Sequence, residues 1–198
     1  AALWLTAVML LHTSLLLLLR WMVSGHLPMS NGFETMQFMA WATLLLTLFM
    51  GKRFMPVKNF GPLLSSFALL VAMITDGNPQ ITQLMPVLQS PLLSVHVMVI
   101  MFSYALFGLM ALIAAEGIWA HRRGDLAKED QLAATSGFLL YPAVSLLAVG
   151  IFIGAVWANV SWGRYWSWDS KETWALITML IYSAPLHSHL KWLNKPLH

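Results

Sequence analysis

The stretch LLSVHVMVIMFSYALFGLMALIAAEGIWA, residues 92–120, contains a single charged residue, Glu116. A hydrocarbon core about 30 Å thick is crossed by roughly 20 helical residues, so this stretch predicts a transmembrane helix over Leu92–Ala120. Five further apolar stretches have similar or shorter lengths: Leu3–Val23, Met36–Met50, Phe60–Ile74, Ala133–Val156 and Thr173–Leu193. The second and third stretches of the chain cover only about 15 residues, so we expect them to extend into flanking loops or to lie where the protein is thin.

The composition excludes a water-soluble protein. Of the 198 residues, 59% are hydrophobic and 10% are charged, and the mean hydropathy is +0.70. We therefore predict an all-α, polytopic integral membrane protein with about six transmembrane helices, organised as one domain over residues 1–198. The chain begins at Ala1 and its first stretch lacks a basic leader, so we expect part of a longer protein rather than a signal peptide. The absence of cysteine excludes disulfides and thiolate metal sites, which leaves histidine as the natural metal ligand.

The distribution of basic residues predicts the orientation in the membrane, because Lys and Arg are retained on the cytoplasmic side. If the helices alternate in direction, one set of loops holds eight of the eleven basic residues: Lys52, Arg53, Lys58, Arg122, Arg123, Lys128, Lys191 and Lys195. The other set holds Arg20, Arg164 and Lys171. This split places both chain ends in the cytoplasm. The net charge of +3 is then a consequence of topology, and we expect no nucleic-acid partner. The stretch HRRGDLAKEDQ, residues 121–131, is interpreted as an ordinary inner loop.

An aromatic loop, WGRYWSWDSKETW at residues 162–174, is predicted on the outer side. An interfacial aromatic belt is one interpretation, but five of the ten tryptophans lie within the 18 residues from Trp157 to Trp174, whereas a belt spreads over all helix ends. Gly163 permits a tight bend. Asp169 and Glu172 are spaced for a helix-capping box, which by itself would explain both residues.

The aromatic loop carries two cations, Arg164 and Lys171, on the side that otherwise holds few basic residues. Their position predicts an anionic partner. That partner is either lipid phosphate or a ligand carboxylate. A planar, largely apolar ligand with carboxylates at one edge suits the loop, because indole faces stack on the plane. Heme fits this description.

Three of the four histidines within predicted helices are candidate iron ligands. His96 lies about four residues inside the outer end of its helix, roughly 6 Å deep. His187 lies roughly 20 Å below the outer surface, and His12 has a similar depth. An interhelical hydrogen bond would explain a lone membrane histidine equally well. Pro185 predicts a kink that opens room beside His187. The remaining histidines are interpreted as solvated or unassigned: His26, His121, His189 and His198.

At this point a family resemblance becomes specific. The aromatic loop resembles the WWD signature of heme-handling cytochrome c assembly proteins, and the continuation ALITMLIYSAPLHSHL, residues 175–190, resembles the CcsA (ResC) branch of the System II cytochrome c synthase. LPMSNGFETMQFMAW, residues 27–41, is similar to that branch's first outer loop. LMPVLQSPLLSVHVMVIMFSYALF, residues 84–107, is similar to its segment bearing the outer heme-ligating histidine.

The resemblance implies site residues by position. His96 matches the external axial ligand of heme, and His187 matches the ligand within the membrane. The motif itself, which in this family forms the outer heme-binding platform, matches Trp162, Gly163, Trp166, Trp168 and Asp169. The family usually has Pro where Ser170 stands. Its second external histidine and its CcsB region, which carries the other in-membrane ligand, match nothing here.

The function that the resemblance implies is that of a holocytochrome c synthase (heme lyase) component acting with a CcsB-type partner. Heme b would enter at His187, move outward, and be presented with His96 on iron for thioether formation with a CXXCH apocytochrome c. Trp162, Trp166, Trp168 and Asp169 would form the reaction platform. The membrane would be the bacterial inner membrane or the thylakoid, with the aromatic loop on the external face.

Two alternatives stay open. The first is a CcmC-like chaperone, which shares the WWD loop but would deliver heme to another carrier. A b-type cytochrome subunit would only pass electrons, and it needs two histidines bracketing a heme at equal depth, which His12 and His187 would satisfy.

Overall fold

The computed structural model describes residues 2–74, 80–81 and 84–187, and within these ranges the regular structure is entirely helical. The α-helices are α1 Ala2–Ser24, α2 Gly32–Met50, α3 Met55–Ile74, α4 Pro91–Arg122, α5 Leu126–Trp162 and α6 Ser170–Ser183. Two short 3-10 helices cover Pro86–Gln89 and Ala184–Leu186. The predicted all-α architecture is confirmed.

Five of the described helices, α1 to α5, are long and apolar enough to cross a membrane. The chain is therefore an integral membrane protein. The two short apolar stretches extend into the flanking loops, which was one of the two expected outcomes. Helix α2 therefore has 19 residues and α3 has 20. At α2 the extension begins with Asn31, whose side chain accepts a hydrogen bond from the backbone N–H of Glu34 at 2.9 Å.

The predicted inner loop at residues 121–131 is wrong. Helix α4 continues to Arg122 and α5 begins at Leu126, capped by Asp125, so only three residues connect the helices. Hydropathy detects the part of a helix that lies in hydrocarbon, and these helices continue beyond it with polar residues. Pairing across the two helix ends favours the extension: Lys128 Nζ lies 2.6 Å from Glu116 Oε1, and His121 Nδ1 lies 3.0 Å from Glu129 Oε2.

The last predicted crossing, Thr173–Leu193, differs from the described helix α6. This helix ends at Ser183, and a 3-10 turn over Ala184–Leu186 follows. Pro185 lacks a backbone N–H, so the predicted kink takes the form of a helix end. Residues 188–193 of that prediction lie outside the described residues.

The core is centred on the long antiparallel pair α4 and α5, with α2 and α3 packed beside α4 and with α6 on α5. Close approach of α4 and α5 is visible at Gly150, where an added Cβ would lie 2.5 Å from Ile100 Cδ1. Ser103 Oγ donates to the Ala143 carbonyl at 2.8 Å and fixes the same pair. Because consecutive helices reverse direction, the α1–α2 loop, the start of α4 and the aromatic loop meet at one end of the bundle.

Candidate functional site

A cavity of about 1210 Å³ lies at this end of the bundle. It is lined by the α1–α2 loop, the first four turns of α4, the end of α5 and the aromatic loop with the start of α6. Pockets for a single small ligand commonly measure about 300–1,000 Å³. The space therefore suits a large ligand.

His96 projects from α4 and lines this cavity, and its ring also contacts α5. Its Nδ1 lies 2.7 Å from the Gly150 carbonyl oxygen. A carbonyl only accepts, so Nδ1 carries the proton and donates, which leaves the Nε2 lone pair available. Gly154 lies against the ring, since an added Cβ there would come within 2.6 Å of His96 Cε1. A metal-binding imidazole is commonly fixed by such a bond to a carbonyl.

The aromatic loop has defined ends. Helix α5 stops at Gly163, which has φ 73° and donates its N–H to Asn159 O at 2.9 Å, so the predicted tight bend is confirmed. Asp169 and Glu172 form the predicted capping box at the start of α6. The Glu172 side chain also accepts from the Ser167 N–H at 2.7 Å, which ties the loop to the helix.

The tryptophans of this region pair edge to face. Trp157 and Trp162 have ring centroids 6.2 Å apart at 89°, and Trp166 and Trp168 have centroids 5.8 Å apart at 83°. Each pair joins a half-buried ring to an exposed one, since Trp162 is 57% exposed and Trp168 is 70% exposed. Trp168 is also the only non-glycine residue in the described ranges with a positive φ, 58°.

The predicted site residues divide into two groups. The cavity lining includes His96, Trp162, Trp166, Asp169 and Lys171. Its described lining does not include Gly163, Arg164, Trp168, His12 or His187. The role of each of these residues in ligand binding stays a prediction.

His12 and His187 are not brought together by the main helix contacts. Both side chains are exposed. His12 is on α1, which packs mainly against α2, whereas His187 follows α6, which packs on α5. No group of three or more His, Asp or Glu side chains that could hold a metal ion forms within residues 2–74, 80–81 and 84–187.

His26 is half-buried, so its interpretation as a solvated histidine is wrong. It lines the cavity from the α1–α2 loop. Its Nδ1 donates to the Leu27 carbonyl at 3.0 Å, and its buried Nε2 has no hydrogen-bond partner in the described part of the chain. The available signal was topological, since His26 follows the C-terminal end of α1 and so lies at the same end of the bundle as the aromatic loop.

The α1–α2 loop is braced by a buried ion pair. Arg20 Nε lies 2.7 Å from Glu34 Oε1, with the side chains 14% and 1% exposed. The second carboxylate oxygen of Glu34 accepts from the N–H and the hydroxyl of Ser30, at 2.8 and 2.6 Å. These contacts anchor the α1–α2 loop, which forms one wall of the cavity.

Known proteins match most of this chain. The family model described as cytochrome C assembly protein matches residues 29–196. The chain belongs to this family. The chain is 40% identical over 189 residues to the cytochrome c biogenesis protein CcsA of Chlamydomonas reinhardtii, covering 89% of the chain and 54% of that protein. It is 39% identical over 186 residues to protein NrfI of Wolinella succinogenes, covering 91% of the chain and 20% of that protein.

The CcsA of Prochlorococcus marinus strain MIT 9312 is 32% identical over 224 residues, covering 94% of the chain and 71% of that protein. The predicted resemblance to CcsA-type cytochrome c biogenesis proteins is confirmed. The chain spans about half the length of the Chlamydomonas relative and a fifth of NrfI.

The contact between Gly154 and His96 leads to a prediction within this cytochrome c assembly protein. Gly154→Ala places a methyl group 2.6 Å from the His96 ring, and we expect the ring to turn away from its Gly150 bond at a cost of about 1–3 kcal/mol. Heme bound per folded protein, measured by absorbance, should fall. Gly137→Ala in the same helix is the matched control, because nothing lies within 4 Å of its added Cβ. Equal heme binding by both variants would contradict the assigned role of the contact.

Proposed function

We propose that this chain holds heme b in the cavity, with His96 as an axial ligand, and presents it for covalent attachment to a CXXCH apocytochrome c. The observation that carries the proposal is the His96 imidazole, whose Nδ1–H is bound to Gly150 O and whose Nε2 lone pair is left available on a tryptophan-lined cavity. Neutral imidazole is among the commonest axial ligands of heme iron.

The other lining residues fit the same substrate. Ile100, Met101 and Ile151 supply apolar walls for the ring, and Lys171 supplies a positive charge at the loop. The exposed rings of Trp162 and Trp168 lie where the aromatic loop faces the surroundings, which leaves room for an approaching peptide. Aromatic faces stack on planar ligands and contribute about 0.5–1.5 kcal/mol per pair beyond their buried area.

The reaction that this arrangement serves is the addition of a cysteine thiol to a heme vinyl group. The sulfur forms a bond to the vinyl carbon next to the ring, the carbon–carbon double bond becomes single, and the thiol hydrogen goes to the terminal carbon. The addition is redox-neutral. The chain's part is to hold the ring in place through His96 and the tryptophans while the peptide docks.

The remaining parts of the proposal concern the whole protein. We place heme entry at His187, in agreement with the family resemblance, and a CcsB-type partner beside the chain. The aromatic loop faces the external side of a bacterial inner membrane or a thylakoid, in line with the eight-to-three distribution of basic residues.

The test is a transfer experiment with heme-loaded protein. Added apocytochrome c should acquire heme that resists acid extraction, whereas an apocytochrome with serine in place of both cysteines should acquire none. A heme chaperone would pass heme without forming that bond, and an electron carrier would keep its heme. Either of these results would contradict the proposed synthase function.

A further inference from the structure

Among the residues that the structure describes, three buried nitrogen atoms at this cavity have no hydrogen-bond partner. They are Trp157 Nε1, Trp166 Nε1 and His26 Nε2, and all three residues belong to the cavity lining. More than about 90% of buried polar groups in proteins are paired, because an unpaired one costs about 1–3 kcal/mol. Three such atoms at one cavity indicate that a ligand supplies their partner.

The chemistry of the two indoles specifies an acceptor. An indole N–H can only donate, so Trp157 and Trp166 each need an oxygen or another acceptor atom. His26 Nδ1 already donates to Leu27 O at 3.0 Å, so Nε2 carries a lone pair in the neutral imidazole and is a second donor in the protonated one. A carboxylate satisfies both indoles, since it offers two oxygens, and those oxygens also accept from Nε2 of a protonated His26.

Protein groups of residues 2–74, 80–81 and 84–187 do not supply this acceptor. Glu172 Oε2 accepts from the Ser167 and Asp169 N–H groups at 2.7 and 3.3 Å, and Asp169 Oδ1 accepts from the Glu172 N–H at 2.8 Å. The loop's own carboxylates are thus turned toward the main chain. Elsewhere in the chain an indole is satisfied internally, because Trp41 Nε1 donates to Ser14 Oγ at 2.8 Å.

We infer that Trp157, Trp166 and His26 bind the carboxylate groups of the ligand, which for heme are its two propionates. The inference rests on the proposed function for the identity of the ligand. It assigns to Trp157 and Trp166 a hydrogen-bonding role that is separate from ring stacking and from iron ligation by His96. Lys171, which lines the same cavity, adds a positive charge that attracts a carboxylate.

The test compares heme with heme dimethyl ester, in which both carboxylates are masked while iron and ring are unchanged. Wild-type protein should bind heme about tenfold or more tightly than the ester, because hydrogen bonds to a charged group are lost. Trp157→Phe and Trp166→Phe keep an aromatic ring and remove the N–H, and each should weaken heme binding by about tenfold. Neither substitution should change binding of the ester.

The matched control is Trp119→Phe. Trp119 lies near the opposite end of α4, outside the cavity lining, and its indole is exposed, so both ligands should bind as they do to wild type. If Trp166→Phe weakens the binding of heme and of the ester equally, the role of Trp166 is ring contact and the inference is overturned. Equal affinity of wild-type protein for heme and ester would also overturn it, without need of a variant. Binding of neither ligand by folded wild-type protein would instead refute the proposed function.

Discussion

Replacing His96 by alanine should abolish covalent attachment of heme to added apocytochrome, and imidazole in the medium should restore part of it. Mutation of a residue that only orients a metal ligand commonly lowers metal affinity or activity about 10- to 100-fold. Loss of the ligand itself should lower activity by at least the upper end of that range. The vacated space adjoins Gly154 and Gly150, and free imidazole can occupy it and reach the iron. Acid-resistant heme on the apocytochrome is the measurement.

The control for His96→Ala is His121→Ala. His121 lies at the opposite end of the same helix, exposed and paired with Glu129 at 3.0 Å, so its loss should leave synthesis unchanged. A His96→Ala protein that folds normally and attaches heme at the wild-type rate would refute axial ligation. Failure of imidazole to restore any activity would count against it as well.

Replacing Glu34 by alanine should lower the free energy of unfolding by about 3–5 kcal/mol, since it removes one partner of a buried ion pair. Glu34 is 1% exposed, and its two oxygens serve Arg20 and Ser30. The backbone of the α1–α2 loop loses the same anchor, so heme binding at the adjacent cavity should weaken too. Unfolding by titration with a denaturing detergent is the measurement.

Glu116→Ala provides the matched comparison for Glu34→Ala. Glu116 pairs with Lys128, but the two side chains are 29% and 46% exposed, and exposed pairs contribute about 0–1 kcal/mol. If both glutamate variants lose the same stability, the buried pair does not brace the loop.

Much of the fold follows from apolar runs, because a helix in hydrocarbon must be apolar over its full crossing. This rule places α1 to α5 correctly and misjudges their ends. The polar extension of α5 from Leu126 to Gln131 has no hydropathy signal, and its start depends on the Asp125 cap and on ion pairs with α4. The end of α6 at Ser183 depends on local backbone conformation, which the apolar run does not report.

The candidate site was predictable to the extent that its residues are close in sequence. The capping box and the Gly163 bend are local patterns, and both are confirmed. His26 and Trp157 belong to the cavity through contacts between distant segments, so no local pattern distinguishes His26 from a solvated loop histidine. Whether a buried nitrogen has a partner is likewise a three-dimensional property.

The backbone of Trp168 has φ 58°, a conformation that costs a non-glycine residue about 1–3 kcal/mol and costs glycine almost nothing. The residue is 70% exposed, so little burial compensates for that cost. Position 168 therefore places two selective pressures in opposition. Selection for folding alone would favour glycine there, whereas selection for an indole beside Trp166 favours the residue that is present. A library of variants sorted separately for stability and for cytochrome maturation would show opposite preferences at this one position.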